Sequence, residues 1–129
     1  MSWTALDLSA KALERYHPSS AARRRRILSG SLLSKRRRRA SLTAHKAAEL
    51  LRTEFGAKEI LVFGSLARRK GFTPWSDIDI AARGIPALRF FEAVGAVTGL
   101  SAEFKIDLVD LETCTSSMKE MIETEGKAL

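Results

Sequence analysis

The chain has 129 residues, 45% hydrophobic and 29% charged, with a formal net charge of +7. That length bounds it to one domain with at most an appendage, and the apolar content suffices for one modest core. A single cysteine, Cys114, excludes an intrachain disulfide framework and suits a reducing, cytoplasmic setting, where it is expected to pack as a small buried side chain. No apolar run reaches the length of a membrane span. No conventional secretory signal is expected either, because the apolar run from Ile27 to Leu33 is short and leads into five basic residues.

The charge is unevenly spread. Residues 1–46 hold twelve of the 22 Lys and Arg against only Asp7 and Glu14, a net +10; residues 47–129 hold ten basic and thirteen acidic residues, a net −3. The basic character therefore belongs to an N-terminal arm with two runs, Arg23–Arg26 and Lys35–Arg39. Such runs can bind the phosphates of RNA or DNA, or an acidic protein face. The plain alternatives are a solvated extension or an Arg- and Ser-rich transit peptide.

In chain order, residues 3–16 read as an amphipathic helix ending before Pro18. The stretch 20–39 has helical character interrupted at Gly30. A stronger helix is expected over 42–55, with Leu42, Ala47, Leu50, Leu51 and Phe55 on its apolar face and Gly56 at its end. A strand follows at 59–64, then a short helix from Ser65 and a strand at 77–82. Gly84-Ile85-Pro86 turns the chain into a helix over 87–98, with Phe90, Phe91, Val94 and Val97 as its inner stripe. A strand at 104–110 follows, and Ser117 with Glu120 reads as a capping box opening a last helix over 117–126. The expected organisation is a helical basic arm over 1–40 and an α+β (α/β-like) domain over 41–129, with a small mixed sheet flanked by helices.

The chemistry concentrates in residues 61–80, Leu-Val-Phe-Gly-Ser-Leu-Ala-Arg-Arg-Lys-Gly-Phe-Thr-Pro-Trp-Ser-Asp-Ile-Asp-Ile. Side chains alternate across a strand, so Asp77 and Asp79 share one face while Ile78 and Ile80 take the other. Asp107, in Lys-Ile-Asp-Leu-Val-Asp-Leu, lies opposite Ile106 and Leu108 in the same way. On neighbouring strands the three acids converge. Their mutual repulsion would raise their pKa values, and a divalent cation would relieve it. Magnesium prefers carboxylate and phosphate oxygens, which points to a phosphate-bound metal. Gly64 lets the backbone approach a phosphate, and Ser65 is placed to open a helix whose free N–H groups favour an anion. Arg68 is the leading candidate for a triphosphate contact. Asp110 falls on the face opposite Asp107 and reads as a turn or surface acid.

The ordered set Gly64-Ser65, Asp77-Ile78-Asp79 and Asp107 resembles the nucleotidyltransferase superfamily of the DNA polymerase beta type, and within it the minimal nucleotidyltransferases. Their pattern is hydrophobic-Gly-Ser, about ten residues, then Asp-x-Asp, with a third Asp on a later strand. Here eleven residues separate Ser65 from Asp77. Gly64-Ser65-Leu66-Ala67-Arg68 also fits the family's Gly-Ser-x-Ala-Arg, but the glycine that usually follows is displaced to Gly71. The resemblance spans about residues 41–129 and implies a polymerase-beta-like palm. It further implies two Mg2+ ions held by Asp77, Asp79 and Asp107, ATP as substrate, and Gly64, Ser65 and Arg68 as nucleotide-binding residues.

Minimal nucleotidyltransferases are typically paired with an all-helical HEPN-type ribonuclease toxin and act as its antitoxin by adding AMP to a toxin tyrosine. The resemblance therefore implies a HEPN partner in a hetero-oligomer. The alternatives are transfer to RNA or to a small molecule, or a non-catalytic binding antitoxin. Arg39 and His45 superficially match the Arg-x4–6-His ribonuclease motif of HEPN proteins, but arginine is so frequent here that chance explains the match.

Overall fold

The computed structural model describes residues 18–68 and 71–129, with side chains described from Ser31 onward. The helix expected over 3–16 lies outside the described residues. The sheet belongs to a compact unit spanning Arg36–Leu129. Its architecture is α+β, as the residue pattern implied, with helices packed around one small mixed sheet.

Helix α1 runs from Pro18 to Phe55 without a break. Gly30 does not interrupt it as expected; a mid-helix glycine costs only about 1 kcal/mol against alanine, which the good helix formers around it offset. From Arg36 onward the helix buries one stripe: Ala40, Ala44, Ala47, Ala48, Leu51 and Phe55. These follow the three- and four-residue spacing of a single helical face. Leu42, expected on that face, is 58% exposed, because it falls between the buried positions. Gly56 ends the helix in the left-handed region at φ +69°, as its position suggested.

Strand β1 (Glu59–Phe63) leads into a 3-10 turn, Gly64–Leu66, and a loop that returns as β2 (Ile78–Arg83). A second 3-10 turn (Ala87–Arg89) opens α2 (Phe90–Thr98), which crosses to β3 (Ile106–Asp110). Helix α3 (Ser116–Glu125) and a short β4 (Lys127–Ala128) complete the unit. The sheet order is β3-β2-β1-β4, with β2 parallel to β3 and β1 antiparallel to both β2 and β4.

The two sheet faces divide by residue parity, as strand geometry requires. Phe63 and Ala81 pack with Leu111 and Ile122 in one cluster, edged by Leu61, Val109, Cys114 and Met121; α3 supplies Ile122 and Met121. Ile60, Val62, Ile78, Ile80 and Ile106 are also buried and fall on the opposite face. Cys114 is half-buried at the edge of the first cluster.

Two local expectations need correction. Helix α3 is capped by Thr115, whose hydroxyl accepts from the Met118 N–H, and not by Ser117. The chain is extended at Thr115, as a cap requires, and Ser117 already lies inside the helix. In α2 the buried positions are Ala93 and Val97, while Phe91 is 91% exposed. Phe90 and Val94 are half-buried, so of the expected stripe Phe91 alone turns outward, one position off the buried face.

Candidate active site

The acids are positioned by backbone pairing. β2 and β3 run parallel with Asp79 opposite Asp107, so the two carboxylates stand side by side on one sheet face. That register is locked at its start, where the Ile78 N–H donates to the Lys105 carbonyl at 2.9 Å. Asp77 sits just ahead of β2, and a turn fixes its approach. The Thr73 N–H donates to Ser76 Oγ at 2.8 Å, and the Ser76 N–H donates to the Thr73 carbonyl at 3.1 Å.

β1 delivers the glycine-serine turn to the same place. Phe63 pairs with Asp79 across the antiparallel ladder, so the next residue, Gly64, arrives beside the Asp79 side chain. Gly64 has φ +71°, and a Cβ built there would collide with Asp79 Oδ2. Only glycine accommodates both the backbone angle and the carboxylate. Ser65 lies within the 3-10 turn, and no side chain caps that turn. The expected helix from Ser65 is one short turn, too brief to build an appreciable dipole.

Asp79 is half-buried, and its carboxyl is pushed above the ordinary carboxylate value. Burial is the largest cause, followed by the negative charges of Asp107 and Asp77; Arg68 and Lys105 pull the other way. Asp79 therefore senses both of the other acids, and two cations lie within electrostatic reach of it. Lys105 Nζ is 3.8 Å from Asp107 Oδ1. Arg68 reaches Glu125 at 3.8 Å and keeps 57% of its side chain exposed. Lys105 was not anticipated, although its two-residue spacing from Asp107 on one strand face would have pointed to it.

Among the described residues, no three His, Cys, Asp or Glu donors are gathered closely enough to form a ready-made metal cage. The donor chemistry of the patch nevertheless suits a hard divalent cation: neighbouring carboxylates, one of them held above its ordinary value by burial and by like charge. Asp110 is not part of the patch; its Oδ1 accepts the Glu112 N–H at 2.9 Å and closes a turn.

The Lys35–Arg39 run behaves differently from a free arm. Arg39 forks onto Glu103, with Nε–Oε1 at 2.9 Å and NH2–Oε2 at 2.6 Å, and the Glu103 carboxyl is held below its ordinary value mainly by this bond. The Arg36 guanidinium lies 4.4 Å from the centre of the Phe104 ring. Arg37 donates to two carbonyls of the loop that follows Gly64-Ser65.

Residues 45–129 match the polymerase beta nucleotidyltransferase family, and the chain belongs to it. Several similar solved structures of this fold come from toxin–antitoxin complexes. One is the complex of tri-AMPylated Shewanella oneidensis HEPN toxin with MNT antitoxin, 25% identical over 69% of this chain and 70% of that one, with a TM-score of 0.53. A toxin–antitoxin structure with AMP-PNP is 25% identical over 66% and 70% of the two chains, TM-score 0.52. A structure described as a minimal nucleotidyltransferase is 25% identical over 75% of this chain and 95% of that one, TM-score 0.53. No curated protein gives a significant match. The fold and family thus make the chain a nucleotidyltransferase domain close to the antitoxins of HEPN toxin systems. Among the described residues, no helix is long and apolar enough to cross a membrane.

Proposed function

We propose that this protein is a magnesium-dependent nucleotidyltransferase that moves AMP from ATP to a tyrosine hydroxyl of a HEPN-type ribonuclease toxin and so acts as its antitoxin. The observation that carries the reading is Asp79 in register with Asp107 on parallel strands, with Gly64 against the Asp79 carboxylate. The AMPylated toxin and the AMP-PNP in the neighbouring complexes support the choice of nucleotide and partner.

In this reading the acceptor oxygen attacks the α-phosphorus. An O–P bond forms, the bond to the β-phosphate oxygen breaks, and pyrophosphate leaves with that electron pair. Asp107, the outer acid of the pair, accepts the hydroxyl proton. Asp77, Asp79 and Asp107 would hold magnesium, which when bound offsets the triphosphate charge and makes the hydroxyl more acidic. Gly64 keeps the backbone bare where the phosphates approach, Ser65 offers a hydroxyl beside it, and Arg68 neutralises triphosphate oxygens. Positioning and charge compensation supply most of the acceleration in such reactions.

Of the Lys35–Arg39 run, Arg36, Arg37 and Arg39 have intrachain partners. The test is the intact mass of the HEPN partner purified after co-expression with wild type or with Asp77→Ala/Asp79→Ala. AMP on a tyrosine with wild type only is expected. An unmodified partner that still binds tightly would leave a binding antitoxin, and AMP on co-purified RNA would make RNA the acceptor.

A further inference from the structure

The Lys35–Arg39 run holds one residue that neither a docking arm nor the Glu103 ion pair accounts for. Arg37 NH1 donates to the Arg68 carbonyl at 2.8 Å, and NH2 donates to the Leu66 carbonyl at 3.0 Å. Its guanidinium also lies 6.0 Å from the centre of the Phe72 ring. One side chain on α1 thus grips the backbone just after the Gly64-Ser65 turn and lies near the Phe72 ring. Arg36 and Arg39 share Glu103, whereas among the described residues no carboxylate pairs with Arg37. Its two hydrogen bonds go to the Leu66 and Arg68 carbonyls.

We infer that Arg37 is a positioning residue for the nucleotide: it fixes the backbone from which Arg68 projects and holds the Gly64-Ser65 turn against Asp79. The inference rests on the proposed nucleotide site. Arg68 is exposed, and its pairing with Glu125 is loose, so its head can swing while its base is pinned. Pinning shrinks the volume that head explores and keeps its charge near Asp79, whose carboxyl it already influences. The fork geometry needs arginine: a lysine ammonium presents no planar pair of donors to two carbonyls. Because the triphosphate is gripped before any bond changes, the effect belongs to substrate binding more than to chemistry.

The test is ATP binding by the full chain in magnesium, by calorimetry, alongside KM and kcat for AMP transfer and a melting curve for each variant. Arg37→Ala is expected to raise the Kd and KM for ATP about ten-fold while kcat changes little, with Arg37→Lys in between. Arg38→Ala removes the same charge one residue along and is expected to change neither. In an Arg68→Ala background, Arg37→Ala should add little, the non-additivity expected of residues acting through one another. An unchanged KM in folded Arg37→Ala, an equal loss in Arg38→Ala, or full additivity with Arg68→Ala would overturn the inference alone. A wild type that binds no nucleoside triphosphate would remove the proposed site and the inference with it.

Discussion

The acid patch at the start of β2 and β3 and the arginine run on α1 are both dense in charge, and they are built on opposite terms. In the patch, Asp77, Asp79 and Asp107 crowd like charges together, and Asp79 is held half-buried among them. On α1, Arg36 and Arg39 converge on Glu103, and Arg37 is satisfied by carbonyls. A cluster that repels itself is kept only if something else repays the repulsion, such as a cation and a phosphate ligand. A cluster matched to intrachain partners is part of the frame. Charge density alone therefore does not mark a site; the pairing of the charges does.

The comparison is broken most severely at Asp79. Asp79→Asn is expected to cut AMP transfer by at least on the order of 10²–10³-fold, the scale seen when one preorganised charge-stabilising group is lost. Its Tm is expected to stay level or rise, because burial and like charge no longer oppose folding at that position. Initial rates and a melt on one preparation check both halves. A large drop in Tm would mean that Asp79 belongs to the frame.

Gly64→Ala comes next. The added methyl meets the Asp79 carboxylate and the backbone stays at φ +71°, a strain of roughly 1–3 kcal/mol for a non-glycine residue. Chemical denaturation should show that loss, together with weaker ATP binding. Activity at the wild-type level would mean that the turn is not the phosphate side of the site.

The smallest effect is expected on the arginine side. Glu103→Gln should lower Tm slightly and leave the KM for ATP unchanged. Because the Glu103 carboxyl is depressed from its ordinary value of 4.5, its stabilisation is present in full above that pH and fades as pH falls through the lowered folded value. Melting curves of wild type and variant should therefore differ near neutrality and converge in acid. A difference that grows in acid would reverse the assignment.

Much of this layout was legible in the residues. Alternation put Asp77 and Asp79 on one face, and the β1, β2 and β3 segments fall within two residues of where hydrophobic pattern and turn glycines put them. Gly64-Ser65 was legible as a turn where the backbone could approach a phosphate; that Gly64 also has a positive φ and the Asp79 carboxylate where a Cβ would stand depends on the β1–β2 pairing. What was not legible depends on long-range pairing. Nothing local says that Arg39 meets Glu103, sixty-four residues away, or that Arg37 meets the Leu66 carbonyl. The run therefore looked like a free arm. Leu42 and Phe91 misled because hydrophobicity marks candidates for burial, while the helix rotation that selects among them is set by the packed partner.

The most direct measurement is transfer of label from α-labelled ATP to the HEPN partner in magnesium, by wild type and by folded Asp79→Asn. Label on a partner tyrosine with wild type, lost in Asp79→Asn, is the predicted result. Equal labelling by both proteins would contradict the assignment of this carboxylate patch as the centre of nucleotidyl transfer, as would no label with any nucleoside triphosphate.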